Sequence, residues 1–395
     1  MEKTRGLTAI VVAGLLSLAA AMGIGRFAFT PVLPLMLREG QLDLSLAGWV
    51  AAANYTGYLV GALTAAHLPL GARMLALVAL AGTAVLTAAM ALDAAPLWLL
   101  LRFAAGVASA WVFVATSVWC LGALARIRRA DVAGWVYAGV GAGIALTGTY
   151  CLAGGSAGLA AAALWVHLGV LAALLMLPVA WVLQGMPSSP AAANAATRGA
   201  APMDRETRGL VICYGVMGFG YILPATFLPA MARSVVDDPR LFGLAWPVFG
   251  VTAALSTVAA GWLMRHATRL QLWAGSQLLM GVGVLLPALW VNGATIAASA
   301  LLVGGTFMVI TLAGVQEMRA RAPEHAARLV GRITAAFALG QIAGPVTSAL
   351  LLHLPSLGER GLALALLLGA AALLLTGCWL VRLAFTSLNR KTAHA

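Results

Sequence analysis

Negative charge is what this sequence has least of. Its 395 residues include 12 Asp and Glu against 24 Lys and Arg, and charged residues make up only 9%. A chain with so little polar surface to offer is not an ordinary soluble globule. Cysteine is scarce too: Cys120, Cys151, Cys213 and Cys378 all fall in apolar stretches without CxxC spacing. Neither a disulfide framework nor a zinc site is indicated, and these residues read as small core side chains. No GxxxxGK[ST] stretch occurs, so nucleotide-driven pumping would need a separate subunit. Long polar loops are missing, which leaves no room for a soluble ATPase or receptor domain. No convergent set of nucleophile, base and metal-ligand residues is visible, so no enzyme, cofactor or metal site is expected.

What is present is apolar sequence, 62% of the chain. Runs of about 20 residues, each able to cross a ~30 Å hydrocarbon layer as a helix, can be laid out twelve times. They fall near 7–37, 42–66, 72–93, 95–124, 131–155, 159–185, 207–234, 240–264, 269–290, 293–318, 326–353 and 358–384. The net charge of +12 sorts by side rather than by patch. With the N-terminus inside, Lys3, Arg5, Arg73, Arg126, Arg128, Arg129, Arg198, Arg205, Arg208, Arg265, Arg269, Arg319, Arg321, Arg328, Arg332, Arg382, Arg390 and Lys391 are cytoplasmic. Only Arg38, Arg233, Arg240 and Arg360 fall outside. Positive charge is therefore an orientation signal that puts both termini in the cytoplasm, not a nucleic-acid footprint. The segment 186–206, with Pro187, Ser188, Ser189, Pro190 and a run of alanines, reads as a cytoplasmic linker between units 1–185 and 207–395.

Those units repeat. Met22-Gly23-Ile24-Gly25-Arg26, running on to Leu33-Pro34-Leu35-Met36, returns 195 residues later, from Met22 to Met217, as Met217-Gly218-Phe219-Gly220-Tyr221 running on to Leu228-Pro229-Ala230-Met231. Each copy opens the first span of its half, the parallel-repeat plan of many secondary transporters. The repeat also argues against reading the N-terminus as a cleaved signal peptide, since cleavage after Ala19-Ala20-Ala21 would halve a helix whose counterpart is retained. The large difference between the copies is Arg26 against Tyr221, a charge in one half only.

Several stretches together resemble the major facilitator superfamily and, within it, the YbfB/YjiJ-type family. They are Gly23-Ile24-Gly25-Arg26-Phe27-Ala28-Phe29-Thr30-Pro31 with Leu33-Pro34, the Arg102-x-x-x-Gly106-x-x-x-Ala110 pattern, Gly304-Gly305-Thr306-Phe307-Met308, and Gly340-Gln341-Ile342-Ala343-Gly344-Pro345. The resemblance implies an all-α polytopic membrane protein of twelve transmembrane helices in two pseudo-symmetric six-helix halves, working by alternating access. Two superfamily features do not carry over. The loop from Gly61 to Arg73 has no acidic residue for the usual cytoplasmic charge lock, nor has its counterpart from Gly261 to Arg269. The fifth span has Gly139, Gly141, Gly143 and Gly148 without the proline associated with exporters, so direction is not inherited.

An arginine facing lipid costs at least ~2.5–3.5 kcal/mol, so Arg26 and Arg102 must face a cavity or a partner. The functional reading is an anion site, a guanidinium fork on a carboxylate, sulfonate or phosphate. The bland reading is a clamp onto backbone carbonyls or onto Asp43 or Asp93. Steps of three or four place Arg102, Gly106, Ser109, Phe113 and Thr116 on one face, and Asn54, Tyr58 and Gly61 on another. Tyr214, Gly218 and Tyr221 share a third face, and Gln341 and Pro345 a fourth. The expected substrate site is Arg26, Asn54, Tyr58, Arg102, Phe113, Tyr221 and Gln341, a lining suited to a small, partly apolar solute. For each residue alone, a plain helix contact is the competing reading. No Asp or Glu falls at mid-span, which disfavours export of organic cations. Glu317 and His167 are the candidates for coupling to protons or another ion, against an interfacial salt bridge and a packing histidine.

The expected function is secondary transport of a small organic anion or amphipathic compound across the cytoplasmic (inner) membrane by a monomer surrounded by lipid. The alternatives are a multidrug-type exporter of neutral or hydrophobic compounds and an uncoupled ligand- or lipid-handling protein. Cysteines introduced at Ala94 and Arg198 are expected to react with an impermeant thiol reagent from opposite sides of the membrane; labelling from one side overturns the orientation.

Overall fold

The computed structural model describes residues 2–42, 44–92, 94–185, 203–233, 244–352 and 360–392. Apolar runs become helices throughout. The first span is interrupted: α1 (Glu2–Leu18) passes into a π-helical turn (Ala19–Arg26) and resumes as α2 (Phe29–Arg38). The rest of the first half is α3 (Leu44–Thr64), α4 (Ala72–Ala89), α5 (Ala95–Arg126), α6 (Ala133–Ser156) and α7 (Ala161–Gln184). The second half is α8 (Arg205–Arg233), α9 (Ala245–Leu263), α10 (Arg269–Leu289), α11 (Gly293–Arg321), α12 (Ala326–Leu352) and α13 (Arg360–Thr392). Among the described residues eleven helices are long and apolar enough to cross a membrane. Helix α3, with Asn54, Tyr55, Thr56 and Tyr58 at its middle, is the twelfth, and its 21 residues have the length to span.

Helix starts follow local chemistry. Pro96 sits in the first turn of α5, where its missing N–H costs nothing. Capping boxes open α10 (Thr268 with Gln271) and α11 (Asn292 with Thr295). Before α8 the Asp204 carboxylate accepts from the Thr207 amide at 2.8 Å, and this bonding to Thr207 holds the carboxyl below its ordinary range. The expected linker lies outside the described residues as far as 202, as do Asp43 and Asp93, the acids considered as partners for the buried arginines.

Burial is arranged for lipid. Val85, Leu177, Leu255 and Leu375 are exposed on the outer faces of their helices, while tryptophans stand exposed near both ends: Trp135, Trp181 and Trp262 at one, Trp49 and Trp290 at the other. This is the aromatic belting of a membrane bundle. The first of these ends carries Arg126, Arg128, Arg129, Arg265, Arg269, Arg319 and Arg321, and is called the arginine-rich end below.

Where the two halves meet along α6 and α9, backbones approach closely at two glycines. A Cβ on Gly141 would stand 2.4 Å from the Ala254 amide nitrogen, and one on Gly250 would stand 2.4 Å from that of Ala145. At the arginine-rich end polar contacts close the seam. Arg319 Nη1 donates to the Ser117 carbonyl at 2.8 Å, joining α11 to α5. Asp131, in the turn before α6, pairs with Arg129 at 2.9 Å and with Arg265 of the α9–α10 connection at 3.1 Å. A cross-half ionic contact therefore exists although both loops in which the sequence pattern sought one lack an acid. The carboxylate comes from the α5–α6 turn instead.

The π-helical turn packs as tightly on α6, since a Cβ on Gly23 would lie 2.3 Å from the Gly143 Cα. Gly23→Ala is expected to force α1 and α6 apart and destabilise the bundle by about 1–3 kcal/mol. Thermal unfolding in detergent checks this against Gly82→Ala, whose Cβ would meet nothing within 4 Å; equal melting of the two variants counts against the contact.

Candidate functional site

The site is built on the break in the first span. At its end the Phe27 amide reaches back five residues to the Met22 carbonyl at 3.1 Å, the extra residue of a π turn. Pro31 brings no amide, and the Thr30 amide, which would serve the Arg26 carbonyl in a regular helix, donates to the Phe27 carbonyl at 3.3 Å. Arg102 of α5 takes up the slack. Its Nη1 donates to the Gly25 carbonyl at 2.9 Å and its Nη2 to the Arg26 carbonyl at 2.7 Å. Asn54 fastens this unit to α3 by donating from Nδ2 to the Arg102 carbonyl at 2.9 Å. The geometry thus gives Arg102 the carbonyl-clamp role weighed against substrate contact, with Nε the one part of its guanidinium without a hydrogen-bond partner among the described residues.

Holding the backbone of Arg26 aims its side chain into the seam between the halves. Arg26 is 2% exposed. Its guanidinium carbon lies 3.5 Å from the ring centroid of Tyr58, a stacking contact worth about 2 kcal/mol when desolvated. Its Nη2 donates to Oε1 of Gln341 on α12, a hydrogen bond that joins the two halves. Nε and Nη1 have no partner among the described residues, and neither have the Gln341 Nε2 amide, the Tyr221 hydroxyl or the Trp246 indole N–H. Each buried donor left so costs about 1–3 kcal/mol, more for a charged one. A site that keeps several such groups together is organised for something other than its own stability.

Aromatic rings connect these groups into a circuit. Phe27 lies 5.6 Å from the Arg26 guanidinium and 6.2 Å from Trp246. Trp246 stacks on Phe249 at 5.4 Å, Phe249 on Phe307 at 5.2 Å, Phe307 on Tyr221 at 5.0 Å and Tyr221 on Phe337 at 5.9 Å. Phe337 returns to Arg26 at 5.8 Å. Arg26 and Tyr221, the positions at which the two sequence repeats differ, flank the same Phe337 ring.

Of the residues expected from sequence, the fold brings Arg26, Tyr58, Tyr221 and Gln341 to this centre, with Asn54 and Arg102 as its scaffold. Phe113 packs edge-on against Tyr137 at 6.0 Å, whose hydroxyl meets Ser117 Oγ at 2.7 Å. Glu317 is clasped by Arg269 at 2.9 Å and Arg321 at 3.0 Å. It lines a cavity of about 820 Å³ at the arginine-rich end together with Asp131, Arg265 and Gln316. His167 Nδ1 meets the Tyr150 hydroxyl at 2.7 Å on an exposed face of α7. Neither coupling candidate touches Arg26. Sequence reading missed Phe27, Trp246, Phe249, Phe307 and Phe337. The spacing of Phe337 four residues before Gln341, and of Phe249 three after Trp246, marks them on shared helix faces, but nothing local shows that these faces converge.

This architecture, two six-helix halves around one seam, is that of the major facilitator transporters. It matches the crystal structure of the human organic anion transporter MFSD10 (TETRAN) with a TM-score of 0.73, over 96% of this chain and 100% of that one, at 17% identity. No curated protein matches it in sequence. A family model described as "Uncharacterised MFS-type transporter YbfB" matches residues 18–381, and the chain belongs to that family.

The clamp gives a direct expectation. Arg102→Lys keeps the charge but offers one point in place of a two-pronged fork, so it is expected to lose one charge-assisted bond of about 1.5–3 kcal/mol and to unfold at lower temperature. Undiminished thermal stability with selective loss of ligand binding would return Arg102 to the substrate-contact role.

Proposed function

We propose that this protein is a secondary active transporter that carries a small organic anion across the cytoplasmic membrane by alternating access. The observation that carries the reading is the Arg26 guanidinium: buried at the seam, stacked on Tyr58, tied to the second half through Gln341, and with Nε and Nη1 still free to donate. A buried charge without a counter-ion is strongly unfavourable, and an anionic substrate supplies that counter-ion. The carboxylates whose side chains are described, Glu39, Asp131, Asp204, Glu206, Glu317 and Glu324, all lie in connections or near helix ends, so none competes with a substrate for Arg26. The structural neighbour MFSD10 is an organic anion transporter by name, which is compatible with this reading.

In this reading the arginine-rich end is cytoplasmic by the positive-inside rule, and both termini lie on that side. The contacts Arg319 to Ser117 and Asp131 to Arg265 then hold the cytoplasmic side closed, and opening it requires them to part. The close, glycine-lined contact between α6 and α9 suits rocking of one half on the other. Because Glu317 is pinned between two arginines and His167 faces outward, the charge balance at Arg26 is assigned to the substrate rather than to either residue.

Arg26→Gln is expected to reduce counterflow of organic anions in proteoliposomes at least tenfold, while the melting temperature of the protein does not fall, because a buried unneutralised charge has been removed. Undiminished anion counterflow in the variant overturns the anion site; transport of a neutral solute unaffected by the substitution would favour the exporter reading.

A further inference from the structure

The centre has a composition that narrows the ligand further, on the footing of the anion reading above. We infer that the substrate is a flat aromatic monocarboxylate, its carboxylate on one edge of the Arg26 guanidinium and its ring against the aromatic rings that run from Trp246 to Tyr221. The unpartnered groups around the circuit are Arg26 Nε and Nη1, Gln341 Nε2, the Trp246 indole N–H and the Tyr221 hydroxyl. Guanidinium, indole and amide nitrogens only donate, and the tyrosine hydroxyl donates as readily as it accepts. A ligand meeting the nitrogen donors brings acceptors, and a cation placed there would be repelled by the Arg26 charge.

The charge follows from how the two arginines are used. Both terminal nitrogens of Arg102 are engaged by the Gly25 and Arg26 carbonyls, and Nη2 of Arg26 is engaged by Gln341. One partly free guanidinium remains, which matches one carboxylate and leaves the second charge of a phosphate monoester without a partner. The Gln341 amide and the Tyr221 hydroxyl lie on the second half, so a carboxylate bound there draws donors from both halves at once.

The shape follows from the rings. Trp246 and Phe249 are within 4° of parallel, Phe249 and Phe307 within 23°, Phe307 and Tyr221 within 16°, and Tyr221 and Phe337 within 25°. The edges of the run are met differently: Phe27 meets Trp246 at 64°, and nearby Tyr214 meets Trp273 at 89°. Across the run the faces fan gradually, Tyr221 and Phe249 standing at 39°, and aromatic faces of this kind favour offset stacking with a flat ring over contact with a puckered one. Trp246, from the first turn of α9, also touches Phe27 beside Arg26, and so is the ring placed to discriminate the body of the ligand while its N–H meets the acceptor end.

The test uses the full-length protein reconstituted in proteoliposomes, with benzoate, cyclohexanecarboxylate, benzamide and inorganic phosphate as competitors of radiolabelled benzoate counterflow, and thermal shift in detergent as a second readout of binding. Benzoate is expected to be taken up saturably and to stabilise the protein, with cyclohexanecarboxylate, benzamide and phosphate each at least tenfold weaker. Trp246→Leu is expected to bring benzoate and cyclohexanecarboxylate within twofold of each other, Trp246→Phe to restore the preference, and Arg26→Gln to abolish binding of both. Equal affinity of the parent protein for benzoate and cyclohexanecarboxylate overturns the aromatic class and leaves the anion site standing. So does a phosphate or aliphatic carboxylate signal lost in Arg26→Gln with benzoate silent. Benzamide equal to benzoate, with no effect of Arg26→Gln, overturns both readings.

Discussion

The clamp of Arg102 on the carbonyls of Gly25 and Arg26 is the contact on which the centre depends. A helix in hydrocarbon cannot leave its own carbonyls bare, because no water is there to accept the debt. The first span nevertheless breaks, and Pro31 supplies no amide just beyond the break. The guanidinium of α5 meets that need and its own at once: the carbonyls gain donors and the buried charge gains acceptors. With its backbone held there, Arg26 points into the seam instead of along the helix surface. One arginine is thus bound by structure so that another can be kept incompletely bonded.

The two sequence repeats meet asymmetrically at the centre. The two repeats place Arg26 and Tyr221 at matching points of their halves, and both approach Phe337. One copy contributes charge and the other a ring with a single hydroxyl, so the seam is electrostatically one-sided while remaining similar in packing. Gln341 connects them, accepting from Arg26 through its oxygen and leaving its amide free on the side of the second half. The MFS-type family to which the chain belongs fixes the transport architecture, and under the proposed function the choice of solute falls to this local asymmetry rather than to the fold.

At the arginine-rich end a different economy holds. Charges there are paired across short distances at partly exposed sites, where each pair contributes little energy. Their value is positional. Asp131 to Arg265 and Arg319 to Ser117 join elements of different halves, and weak contacts of this kind fix position without locking it.

Much of this was legible along the chain. Periodicity is unnecessary when a run of some twenty apolar residues has only one way to cross a membrane, so the helices lie close to the expected runs; α5, for instance, covers Ala95–Arg126 against an expected 95–124. The repeat at Met22 and Met217, the isolation of Arg26 and the lack of acid at mid-span could likewise be read from residues alone, because each is a statement about one segment and its cost in lipid. Other features needed the third dimension. That Arg102 would meet the carbonyls of Gly25 and Arg26 depends on a break in the first span and on how α5 packs against it. That Phe337, Phe307, Phe249 and Trp246 form one stack with Tyr221 depends on four helices converging, and that Asp131 finds Arg265 depends on how two loops from different halves meet. Sequence determined which segments enter the membrane and which charge is anomalous there, because hydration energy is set residue by residue; tertiary structure decided which donors are spent and which remain free, because hydrogen bonds are settled only between partners brought together.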